Sequence, residues 1–138
     1  VGRDRLDGLA RSVVMARAGA ALTVDERGRW SWWGRCQHCG KESWLSWCHL
    51  FTRGAYSVRW DPEAAFAWCS GCHRHLDQHW ETKRAWAIDR LGEDKYRKLE
   101  LKKRAGTRPD YGGWLVYLLH EWRPLSRGLA EEQRGRFG

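Results

Sequence analysis

Two Cys-x-x-Cys pairs, Cys36/Cys39 and Cys69/Cys72, constrain this chain more than any other feature. Each clip offers two sulfurs from one tight turn. Four sulfurs in two clips make the tetrahedral ligand set of a structural zinc. Joining the clips through one ion closes the 29 residues 40–68 into a loop. At 138 residues the chain can bury only a modest core, so a metal staple suits it. Lys and Arg number 25 against 17 Asp and Glu, a formal +8 that points to a polyanionic partner, most simply nucleic acid.

The first residues show no basic-then-apolar pattern, so no leader is expected, and no apolar run approaches the roughly 18 residues of a membrane span. The expected setting is the cytoplasm, where thiols stay reduced and paired clips read as metal ligands. Cys48 is left over and is expected to be a partly buried free thiol.

Apolar residues at helical spacing predict a helix from Asp4 to about Gly19, with Asp4 as its cap. An extended segment over 22–33 should lead into the first clip, a strand should cover 44–51, and a second extended piece should cover 57–60 after a turn at Arg53-Gly54. Asp61-Pro62 begins a short helical turn over 63–68. The pattern is helical from His73 to Gly92 and again from Glu93 to Arg104, and a linker covers 106–109. The stretch from Tyr111 to Arg123 is apolar nearly all round, which leaves two readings: it fills the core or forms a subunit interface. A polar, frayed tail is expected after Pro124. The divisions are an N-terminal helix and lead-in strand (1–35), a metal-stapled core with its following helices (36–104), and an apolar helix with its tail (105–138). Most of the 11 tryptophans are expected to pack the core, with Trp32 and Trp33 as the exceptions to test.

His49 lies between the clips and His73 directly follows the last cysteine. A one-metal nuclease needs this combination: a histidine base to deprotonate water beside the scissile phosphate, and a divalent cation on the other side. Four cysteines leave zinc no open position, so a second metal is required, with His73 its leading ligand. Arg53 and Arg59 flank the proposed site and suit a phosphate clamp, while Lys102, Lys103 and Arg104 suit a neighbouring backbone.

The strings Cys36-Gln37-His38-Cys39-Gly40, Cys48-His49-Leu50-Phe51-Thr52-Arg53, Val58-Arg59-Trp60-Asp61-Pro62-Glu63 and Cys69-Ser70-Gly71-Cys72-His73 resemble the phage Rap/NinG recombination nucleases, within the HNH or His-Me finger group. The likeness runs on through Ile88-Asp89-Arg90-Leu91-Gly92-Glu93 and covers roughly residues 36–101. It implies an α+β chain with a ββα-metal core around a four-cysteine zinc, flanked by N- and C-terminal helices. It further implies an endonuclease that uses Mg²⁺ or Mn²⁺ to cut branched DNA such as Holliday junctions or D-loops. Position by position, His49 matches the general base and His73 a catalytic-metal ligand, while His79 falls where many members place a polar residue. Two positions depart: Ser46 stands near the family's usual Asp and Ala64 at its Asn. Asp61, Asp77 and His79, with Glu63 and His75 as further options, are the side chains available to complete the second metal's shell. Paired cuts in a symmetric junction call for a homodimer. The rivals are a nonenzymatic zinc module that binds DNA structure, and a nicking nuclease acting on plain duplex.

Overall fold

The computed structural model describes residues 2–137, with side chains through residue 129. Helix α1 (Arg3–Arg17) buries Leu6, Ala10, Val13 and Val14, the one-face spacing of an amphipathic helix. It starts after Gly2 without a side-chain cap, so Asp4 lies inside the first turn instead of capping it. Gly19, at φ 74°, ends it in a Schellman turn: the Ala20 N–H donates to the Met15 carbonyl and the Gly19 N–H to that of Ala16.

Four antiparallel strands follow as a meander: β1 (Ala21–Val24), β2 (Trp30–Arg35), β3 (Glu42–His49) and β4 (Ala65–Cys69). The segment expected to run extended over 22–33 is instead folded back on itself. Asp25 makes the turn, its carboxylate accepting from the N–H groups of Arg27 and Arg29 and from the Ser31 hydroxyl. Gly34 lies where a side chain would not fit, since a Cβ there would come 2.9 Å from the Ala20 Cα.

Two expected elements change identity. Residues 57–60 form turns, and the strand that pairs with β3 is β4, where a helical turn was expected. The helical part is only the 3₁₀ turn η1 (Pro62–Ala64), capped by Asp61, whose carboxylate accepts from the Glu63 N–H. Every residue of β4 is buried, so the alternation that marks a strand in sequence is missing.

Helix α2 (Ser70–Gln78) begins immediately after β4. The single helix expected from His73 to Gly92 is broken at His79 into α2 and α3 (Trp80–Leu91). Gly92, at φ 88°, turns the chain into α4 (Glu93–Ala105). The last helix, α5 (Tyr111–Phe137), continues through Pro124 instead of ending at Arg123. Proline removes the donor that would serve the His120 carbonyl, and His120 is on the exposed side, where water can take that role. Gly138, the end of the expected frayed tail, lies outside the described residues.

The described residues form two hydrophobic clusters. The larger is built around the sheet and includes Trp68, Phe66, Leu50 and Leu76. The smaller joins Leu6, Ala10 and Val13 of α1 to Trp60 and to Leu118 of α5. Thus α5 settles one face on α1 while leaving Val116 and Tyr117 exposed. None of the described helices is long and apolar enough to cross a membrane.

Candidate functional site

The four clip cysteines converge from different elements. Cys36 and Cys39 belong to the turn between β2 and β3, Cys69 ends β4, and Cys72 lies in the first turn of α2. Their sulfurs all lie within 4.8 Å of one another, and those of Cys39 and Cys69 are 3.9 Å apart. A tetrahedron with Zn–S bonds of about 2.3 Å has an edge of about 3.8 Å, so the quartet can hold one such ion. Gly40, at φ 78°, permits the tight turn in which its N–H donates to the Cys36 carbonyl. Gln37 stitches that turn to β4: its N–H donates to the Ala67 carbonyl and its side-chain oxygen accepts from the Ala67 N–H. Burial pushes the Cys36 thiol up, but N–H groups of Cys39, Cys69 and His38 outweigh this and bring its pKa to about 7. The turn therefore eases formation of a thiolate at Cys36, while burial and the neighbouring sulfurs push the Cys72 thiol up. His38 packs inward, with Nδ1 3.2 Å from the Cys72 sulfur.

Cys48 takes no part in this cluster. It is buried, its pKa is pushed up to about 12 by that burial, and its thiol donates to the Ser46 carbonyl.

On the other side of β3's C-terminal end is a cavity of about 960 Å³. It brings together His49, His73, Asp77, Arg53 and Lys103 from the residues singled out in sequence. His49 is the last residue of β3 and is 9% exposed. Its ring lies 4.1 Å from that of Trp47, which occupies the same face of the strand two residues earlier. Burial drives the imidazole pKa down to about 4; the charges of Arg53 and Arg59 add to this, and a hydrogen bond to the Arg59 backbone opposes it. The ring is therefore neutral at pH 7. Its Nε2 is buried and has no hydrogen-bond partner among the described residues.

His73 and Asp77 are one turn apart on α2, with Nε2 of one 2.9 Å from Oδ2 of the other. The second oxygen of Asp77 accepts from Lys83, whose ammonium is nearly buried at 2.8 Å. Among the described residues, the cysteine quartet is the one group of three or more metal-ligating side chains close enough to share an ion. The pair on α2 supplies two ligands and no third.

The remaining sequence candidates are elsewhere. Arg59 is buried and engaged by Asp7 of α1, donating from Nε at 2.9 Å and from an Nη at 2.7 Å, while its other Nη donates to the Arg53 carbonyl. It braces the loop instead of meeting a phosphate. Asp61 caps η1 and faces Lys102 at 3.6 Å, outside the cavity. Arg104 pairs with Glu100 along α4, so of the three basic residues there only Lys103 reaches the cavity. His79 stacks on His75, ring centroids 4.4 Å apart, and its Nδ1 meets the His75 carbonyl; neither ring lines the cavity. Glu63 faces Arg17 and Lys95.

Sequence reasoning passed over Arg11, Trp47 and Lys83. Trp47 carried a signal, the period of two that puts it beside His49. Arg11 and Lys83 arrive from distant helices, and nothing local marks them. Comparison with protein-family models, curated proteins and solved structures finds no match to this chain.

Proposed function

We propose that this chain is a zinc-stapled, metal-dependent endodeoxyribonuclease of ββα-metal type, acting on branched recombination intermediates such as Holliday junctions and D-loops in the reducing cytoplasm of a host cell. The observation that carries this reading is the neutral, unpartnered Nε2 of His49 in a basic cavity that also holds the His73–Asp77 pair. The order β3, β4, α2 supports it, with the histidine ending the first strand and the second clip crossing into the helix.

In this reading His49 takes a proton from water, the oxygen so freed forms a bond to phosphorus, and the bond from phosphorus to the leaving oxygen breaks. His73 and Asp77 would hold Mg²⁺ or Mn²⁺, which when bound supplies positive charge at the phosphate. Arg53 and Lys103 steady the neighbouring phosphate oxygens. Since Nε2 is sealed from solvent, the side chains packed over it must shift on binding, and the Trp47 ring is one that touches the imidazole. Phosphate charge then offsets the cationic field and raises the basicity of the ring. A second copy docking on the α5 face that carries Val116, 70% exposed, would give the two sites that paired cuts require.

A second reading is a zinc module that binds DNA structure without cutting it. The Lys83 ammonium on Asp77 and the lack of a third ligand favour that reading. The test incubates four-way junction, duplex and single strand with Mg²⁺ or Mn²⁺, alongside a His49→Ala variant. Cutting of the junction alone, lost in the variant, is the expected result. Binding without cutting favours the module, and equal cutting of duplex points to a general nicking nuclease.

A further inference from the structure

The cavity beside His49 is more aromatic than a surface that reads only phosphates needs to be. Its rim carries two large rings that the fold leaves open, Trp30 of β2 at 68% exposure and Trp80 of α3 at 44%. Neither is required to close a core, and an exposed indole gains nothing from water. Further in, Trp47 has the guanidinium groups of Arg11 and Arg53 over its ring, each 5.7 Å from the centroid. Phe51 has the Lys103 ammonium 5.0 Å from its centroid and the Trp80 ring 6.3 Å away. The charged lining is one-sided: Arg11, Arg53, Lys83 and Lys103 against Asp77 alone.

Aromatic faces paired with cations make a platform for nucleotides whose bases are free to stack and whose phosphates sit beside the charge. A paired duplex hides its base faces inside the helical stack and cannot use such a platform. A cavity of about 960 Å³ is at the upper end of those that enclose small ligands, roughly 300–1,000 Å³.

We propose that this cavity is a subsite for unpaired nucleotides, with bases stacking on Trp30 and Trp80 and the intervening phosphates held by Arg11, Arg53 and Lys103. The subsite rests on reading the same cavity as a nucleic-acid site, but not on cleavage there. It gives the protein a preference for strands with unpaired residues over fully paired DNA.

The test measures binding of the full chain to fluorescein-labelled oligodeoxythymidylate and to a blunt duplex, by anisotropy in the absence of divalent cation. The variants are Trp30→Ala, Trp80→Ala, their phenylalanine counterparts, and Trp33→Ala as the control. Trp33 is also exposed but packs edge-on against Trp44 and does not line the cavity. Each of the two rim alanine variants should bind the single strand about tenfold more weakly, the scale of one lost stacked base. Phenylalanine should restore most of the loss, while Trp33→Ala and all duplex affinities should stay unchanged. Thermal melts of the variants guard against loss of fold. Equal weakening toward duplex and single strand, or unchanged single-strand affinity in both rim alanine variants, overturns the proposal. Tryptophan-dependent binding by a chain that cuts nothing would retain the subsite and remove the nuclease reading. Cleavage with no tryptophan dependence would do the reverse.

Discussion

The two candidate centres of this molecule differ in how they are finished. The cysteine quartet is complete: four like ligands within one bonding sphere, N–H groups turned toward Cys36, and a turn fastened to β4 by Gln37. The cavity around His49 is unfinished, with a desolvated imidazole whose Nε2 has no partner among the described residues and a two-ligand pair already satisfied by Lys83. A centre that serves only the fold can be closed by the chain itself. One that serves a ligand must leave bonds unmade, and its polar atoms stay costly until the ligand arrives.

The largest expected effect lies on the complete side. Cys69→Ser, or prolonged treatment with a strong chelator, should abolish the cooperative thermal transition followed by circular dichroism, because zinc in such sites contributes on the order of 10–16 kcal/mol. Elemental analysis should find one zinc per chain. A sharp transition surviving in the metal-free protein would break the contrast.

The next effect tests the frame of the cavity. Asp7 accepts from Arg59 twice and from the Trp60 indole at 2.8 Å, all buried. Removing one partner of a buried ion pair costs about 3–5 kcal/mol, so Asp7→Ala should lose that much in urea denaturation. A loss below about 1 kcal/mol would mean that water enters and solvates Arg59.

The unfinished side should report itself through pH. The His49 pKa falls from its ordinary 6.5 to about 4 on folding, so between those values the unfolded chain takes up a proton that the folded chain refuses. Stability is full above about pH 6.5 and declines as pH falls toward 4, by about 3 kcal/mol at most. A His49→Gln variant should lack this portion of the slope in paired denaturation series. Identical slopes would show that the ring is solvated in solution.

The smallest effect concerns competition for Asp77. Lys83→Met keeps the packing volume and removes the ammonium, so Mn²⁺ should bind several-fold more tightly by calorimetry, about 1 kcal/mol. Weaker binding would instead make Lys83 the group that orients the carboxylate for the metal.

Against this contrast, what the sequence made legible divides along the same line. The clips could be read because both are local, four-residue units of fixed spacing, and the helices α1, α4 and α5 because amphipathic or apolar runs are local too. His49 and His73 stood out by their position relative to the clips, whereas Asp77 was only one of several acids and histidines on offer, since no local rule says which of them meets His73. β4 was missed because a strand buried on both faces shows no alternation, and Pro62 before it looked like the start of a helix. Arg59 was misread because its partner Asp7 lies 52 residues away, and no local rule distinguishes a buried arginine from a free one. Lys83, Arg11 and the rim tryptophans come from three different elements and meet only after folding.

The tie between Asp7 and the segment bearing Arg59 and Trp60 makes the first helix an outrigger for the cavity, reaching it from outside the loop that the cysteines enclose. Because Arg59 also grips the Arg53 carbonyl, losing that strut would reach the cavity wall within a few bonds. A fragment trimmed to residues 36–104 would thus lose the strut that keeps Arg53 in place.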